Sequence, residues 1–124
     1  MGQKIQIKVG KLALPAELND SPTAAAVAAA LPLQAQGNRW GEEIYFRIPV
    51  KQEEAGDARA EMAVGELAYW PPGNAFCIFF GPTPASVGQE PRAASPVNPI
   101  GRVTGDVAPL RQAADGSEVV LEKA

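Results

Sequence analysis

Proline and glycine, twelve of each, cut this chain of 124 residues into short runs. Proline lacks an amide hydrogen and glycine is entropically costly inside a regular element, so such punctuation favours brief strands and turns over long helices. The runs between the breaks have strand character. Over residues 4–9, Ile5, Ile7 and Val9 fall on one face and Lys4, Gln6 and Lys8 on the other, the period of a half-buried strand. Residues 11–18 follow Gly10 as its hairpin partner. Further strands are expected near residues 33–37, 43–50, 58–64, 66–70, 75–80, 100–105 and 118–122, about nine short segments in all.

One helix is expected among them. Ser21 supplies the cap, Pro22 suits the first helical position, and the alanine-rich run that follows continues until Pro32 forbids more. So short a helix is marginal alone, so it must dock on the sheet, with Val27 and Leu31 as anchors. Many short strands and one plugging helix predict a mainly β fold. A closed or nearly closed barrel is expected, with the helix at one end, because closure removes exposed sheet edges. An open α+β sheet is the alternative. The length and a 46% hydrophobic, 20% charged composition fit a single domain over residues 1–124.

Charge and residue types narrow the chemistry. A net charge of −3 offers no basic footprint, so neither nucleic acid nor an anionic membrane surface is expected as a partner. The longest apolar stretch, TAAAVAAALPL, is too short and too broken by proline to cross a bilayer. Cys77 is the only cysteine, so no internal disulfide is expected and the cytoplasm is the default compartment. Histidine is absent, which removes Ser-His and Cys-His nucleophiles and the commonest zinc ligands; no metal and no cofactor is expected.

The stretch YWPPGNAFCIFFGPTP, residues 69–84, concentrates stiffness. Residues 71–74 read as a type II turn with Gly73 supplying the positive φ. AFCIFF is continuously apolar, so both of its faces are expected to be covered, one by the barrel interior and one by the helix or a loop. Gly81 and Pro82 end that strand. From Pro82 to Pro99 the chain carries further prolines and no apolar period, and it reads as a partly ordered rim loop.

WGEEIYFRIPV, GELAYWPPGNAFCIFFGPTPAS and VNPIGRVTGD, in this order and spacing, resemble a family of small prokaryotic cyclophilin-like domain proteins whose biological role is unassigned. The resemblance runs over most of residues 33–106 and implies a cyclophilin-like β-barrel of about eight strands with helical plugs. Cyclophilins proper are peptidyl-prolyl isomerases, but a shared barrel does not confer the activity. Their catalytic arginine lies on the outer barrel surface in a Phe-His-Arg-Ile stretch. Tyr45-Phe46-Arg47-Ile48 is similar to it, with Phe46 in place of the histidine. A second signature, Met-Ile-Gln-Gly-Gly-Asp, is matched only loosely from Met62 to Glu66, where Val64 replaces the glutamine.

Strand alternation sends Ile44, Phe46, Ile48 and Val50 to the core and leaves Tyr45 and Arg47 on the outer face. Isomerisation of an Xaa-Pro bond needs no proton transfer, only an apolar slot and a donor, and Arg47 is the candidate donor. Cys77 reads as a small buried hydrophobe, and Glu42 and Glu43 as a turn residue and a strand-surface residue. Trp70 either walls a groove or covers the barrel end. Thr83, between two prolines, is expected to expose its hydroxyl, while Asn98 and Arg102 flank the next strand. The leading expectation is a binding module for a small molecule or an extended, proline-containing peptide, with Tyr45, Arg47, Trp70, Asn74, Thr83, Asn98 and Arg102 as ligand-binding candidates. The alternatives are a prolyl isomerase using Arg47 and a structural homodimer in which the prolines only seal the barrel mouth.

Overall fold

The computed structural model describes residues 2–124. Ten strands and one helix follow in the order β1 (Gln3–Val9), β2 (Leu12–Leu18), α1 (Pro22–Ala30), β3 (Leu33–Gln36), β4 (Asn38–Arg39), β5 (Glu43–Arg47), β6 (Arg59–Glu61), β7 (Glu66–Trp70), β8 (Ala75–Phe79), β9 (Arg92–Val103) and β10 (Glu118–Lys123). The fold is therefore mainly β, as the punctuation required. All pairings are antiparallel, and the main sheet runs β3-β10-β1-β2-β9-β7-β8-β5-β4. The β1–β2 hairpin turns at Gly10, whose φ of 57° is open to glycine at no steric cost.

A fully closed barrel goes further than this ladder, which starts at β3 and stops at β4 without a hydrogen-bonded pair between them. Those two end strands are consecutive in the chain and separated by Gly37 alone. A Cβ at that position would sit 2.8 Å from Ile44 Cγ2 and 3.0 Å from Val119 Cγ2. Glycine thus lets β5 and β10 press on the same point of the chain.

Inside the curved sheet lies one large apolar cluster that takes alternate residues from every long strand. Ile5, Ile7 and Val9 of β1, Ile44 and Phe46 of β5, and Phe76 and Ile78 of β8 belong to it. The Phe46 and Phe76 rings stack with centroids 5.3 Å apart. The helix closes over this cluster with Ala24 and Val27 fully buried, and its N-terminus is capped by Ser21 Oγ, which accepts from Ala24 N at 3.2 Å. Leu31, the other expected anchor, is half-buried against the same cluster. Tyr69 is fully buried here, and its hydroxyl donates to the Val50 carbonyl at 2.6 Å.

A second, smaller cluster forms on the outer face. Strand β9 pairs with β6 over its first half and with β7 and β2 over its second. The first half and β6 form a two-stranded ribbon that lies over β7 and β8, burying Met62, Ala93 and Val97 against Ala68, Cys77 and Phe79. Both faces of AFCIFF are covered, as expected. The outer cover is this ribbon rather than the helix or a loop.

Two local expectations are corrected. Residues 71–73 form a single 3-10 turn, and Asn74, not Gly73, takes the positive φ, at 49°. Asparagine tolerates that region, and its side chain is held there by the Tyr69 hydroxyl, 2.9 Å from Oδ1. Gly73 is needed for space instead, because a Cβ would fall 2.7 Å from the Trp70 ring. The expected rim loop from Pro82 to Pro99 is in fact a shorter loop followed by β9. Pro96 and Pro99 are tolerated inside that strand because the ladder shifts register beside them: Pro96 falls between the registered pairs with β6, and Pro99 opposite Ala68 adjoins the shift in the ladder with β7.

Candidate functional site

A two-residue turn before β5 starts the site. Trp40 and Glu43 exchange both backbone bonds across Gly41 and Glu42, at 2.9 and 3.2 Å. Gly41 has φ 61°, and a Cβ on it would strike Thr83 Cα at 2.8 Å. The segment after β8 clamps the turn further, since Glu42 N donates to Pro82 O and Phe80 N donates to Glu42 O, both at 2.9 Å. The stiff Gly-Pro-Thr-Pro segment therefore fixes where Trp40 and Glu43 stand.

From that turn β5 runs outward-inward in strict alternation. Glu43, Tyr45 and Arg47 share the outer face with their cross-strand partners Phe79, Cys77 and Ala75. On β7, Trp70 also faces Ala75 and Ala68 faces Cys77. The Trp70 indole nitrogen donates to Ser95 Oγ on the ribbon at 2.7 Å, which sets the ring's orientation. Between sheet and ribbon remains a cavity of about 240 Å³. Trp40, Tyr45 and Trp70 supply its aromatic walls, Glu43 and Cys77 line it with a carboxyl and a thiol, and Ala93, Ala94 and Val97 of the ribbon complete it.

The electrostatics of this cavity are unusual. Glu43 is only 5% exposed, and no ion pair is found for it among the described residues. Burial pushes its carboxyl up to about 7, while a hydrogen bond from the Cys77 thiol pulls the other way. The thiol is in turn raised well above its ordinary value, first by burial and then by the neighbouring Glu43 charge. It is a thiol at neutral pH, which removes it as a nucleophile and leaves it a weak donor.

Of the residues singled out in the sequence, Tyr45 and Trp70 meet in this cavity. Arg47 does not line it. It is exposed and stands in the same register row as Ala75 and Trp70, one row beyond Tyr45. Asn74 is half-buried and engaged with Tyr69. Thr83 is buried rather than exposed, because its hydroxyl donates to the Arg92 carbonyl and so ties the loop to β9. Asn98 is buried too. Its amide donates to Thr23 Oγ1 at 3.1 Å and Glu53 O at 2.9 Å, and its oxygen accepts from Ala55 N at 2.8 Å, which joins helix, β9 and the chain after β5.

Arg102 lies apart, exposed in a wide groove of about 930 Å³ with Glu17, Arg59, Glu61 and Glu66. That groove is larger than the aromatic cavity but open and charged, and Arg59 and Glu66 already pair across it. Trp40, Glu43 and Cys77 were not singled out as site residues. The signal for Glu43 was present in the sequence, since a strand whose neighbour is covered on both faces must bury its own outward residue opposite that neighbour.

Fold and cavity together define a mainly β domain with a built pocket on its outer sheet face. The family model described as Cyclophilin-like matches residues 3–122, and the chain belongs to that family. It is similar to the solution structure of the hypothetical protein AF2241 from Archaeoglobus fulgidus, at 40% identity and a TM-score of 0.84, over 99% of this chain and 95% of that one. No curated protein matches it. Among the described residues no helix is long and apolar enough to cross a membrane.

Proposed function

We propose that this domain is a binding module for a small molecule, held in the aromatic cavity between β5, β7, β8 and the ribbon. The observation that carries the reading is the convergence of Trp40, Tyr45 and Trp70 on one partly enclosed space that Glu43 and Cys77 also line. The walls are already fixed, Trp40 by its clamped turn and Trp70 by Ser95, so little ordering cost opposes a ligand. At about 240 Å³ the space falls below the roughly 300–1,000 Å³ of sites for drug-sized ligands, which favours a guest of few heavy atoms over an extended, proline-containing peptide. A cytoplasmic setting belongs to the same reading and is supported by the single, free cysteine.

The test is an NMR screen of a metabolite library that reads the indole signals of Trp40 and Trp70. A ligand of this site shifts both, and Trp40→Ala weakens it at least about tenfold while the other amide signals stay in place. A library that leaves both indoles unmoved at millimolar concentration, or binders whose shifts map elsewhere, would overturn the reading.

The isomerase alternative needs an apolar slot in front of Arg47, and Arg47 lies outside the lining. The expected result is equal cis/trans exchange in Xaa-Pro peptides with and without the protein. The homodimer alternative needs an exposed apolar patch. The exposed large apolar side chains among the described residues are Val64 and Val87, which stand singly.

A further inference from the structure

We infer that the cavity takes a small organic cation, an ammonium group carrying methyl or other apolar substituents, seated against the faces of Trp40, Tyr45 and Trp70 with its charge toward the Glu43 carboxylate. The inference rests on the binding reading above and adds the charge class of the guest.

Three features of the pocket argue for this class. Aromatic faces carry negative potential and attract cations, most strongly where water is excluded, and three aromatic residues line one small space here. The only formal charge that the lining can carry at neutral pH is negative, since no lysine or arginine lines the cavity. An anionic guest would therefore meet a like charge and no counter-charge. A buried carboxylate is also costly to ionise without a partner, and a cation in the cavity supplies the partner that the fold does not.

The surrounding charges are already engaged elsewhere. Glu42 on the turn pairs with Arg111, Glu66 on β7 with Arg59, and Arg92 on the ribbon with Glu90 and Glu61. Arg39, beside the turn, donates to the carbonyls of Gly41, Arg111 and Ala113. Arg47, the outward cation of β5, lies outside the lining, and Tyr45 and Cys77 are the other titratable groups in the cavity.

Ionising Glu43 and binding the cation are one linked equilibrium. When the carboxyl is neutral, at the acid side of about 7, a cation must displace the proton to solvent before it gains its counter-charge. Affinity for a permanent cation therefore rises with pH through that region and levels off above it. An uncharged guest of the same shape shows no such rise.

The experiment is a titration of the full chain, by NMR and calorimetry, with choline and with its uncharged carbon analogue, in which a tert-butyl group replaces the trimethylammonium. At about pH 8.5 the expected result is indole shifts at Trp40 and Trp70 and at least roughly tenfold tighter binding of choline than of the analogue. At about pH 5.5 the preference falls at least about fivefold, to the remainder that the aromatic faces supply by themselves. Glu43→Gln abolishes the pH dependence of the preference and leaves at both pH values only the remainder that the wild type shows at about pH 5.5. The wild-type pH series carries the test even should that variant not fold. Analogue binding as tight as choline at high pH overturns the charge assignment and leaves the binding reading standing. Indoles unmoved by either compound also overturn it. Only indoles unmoved by the whole metabolite library as well would remove the site itself.

Discussion

The two faces of β5 and β8 are made from alternate residues of the same two strands and do opposite things. Inward, Ile44, Phe46, Phe76 and Ile78 pack into a cluster that contains no ionisable side chain except the Tyr69 phenol. Outward, the interleaved Glu43, Tyr45 and Cys77 sit under a ribbon, nearly as dry but with a carboxyl and a thiol inside. The inner face fills its space with stacked rings. The outer face leaves a cavity and a group whose ionisation the fold opposes. Period-two alternation thus lets one pair of strands separate stability from recognition.

That division makes predictions that can be broken. The largest effect is expected on the inner face: Phe46→Ala removes one ring of the buried stack and should cost about 3–5 kcal/mol in urea unfolding. Next is the outer carboxyl, with the opposite sign. Glu43 has a folded value of about 7 against an ordinary 4.5, so ionising it disfavours the folded state. The penalty is absent below pH 4.5, grows between 4.5 and 7, and is complete above 7. Glu43→Gln should therefore stabilise the protein by roughly 2–3 kcal/mol at alkaline pH and by almost nothing at acid pH. Equal effects at both ends would show that the carboxyl is not dry.

Smaller still is Tyr69→Phe, which removes the hydroxyl that holds Val50 and Asn74 and should cost about 1–2 kcal/mol. The smallest change belongs to the loop after β8. Glu90 accepts from Val87 N and Gly88 N, both at 2.8 Å, and these bonds hold its carboxyl down at about 2. The loop's hold is full above the ordinary carboxylate value and is lost as pH falls toward 2, so the protection of the Val87 and Gly88 amides, relative to an unstructured chain at the same pH, should fall over that interval in the wild type and be reduced at all pH values in Glu90→Gln.

Much of this was legible in local pattern. The alternation of β1, the hairpin at Gly10, the capped helix from Ser21 and the continuous burial of β8 each depend on neighbours in sequence, and each is where the pattern put it. What local pattern cannot carry is partner exchange. Arg92 to Pro99 reads as a loop because Pro96 and Pro99 break its period, yet it is the first part of a strand that continues into the expected one and leaves one partner for others at those breaks. Missing the first part of that strand hid the ribbon. Without the ribbon, Glu43 reads as surface and Trp40 as nothing in particular. Thr83 misled for the same reason, since its hydroxyl partner is a carbonyl at the start of β9.

Strand β9 is ceiling at one end and masonry at the other, and that makes it a poor trapdoor. Lifting Ala93 and Val97 would strain a chain whose far end stays zipped to β2 through Gly101 and Val103. A visitor is therefore expected to slip in sideways, past the partly exposed edges of Trp40 and Trp70, and to come and go at the tempo of turning rings rather than of a moving flap.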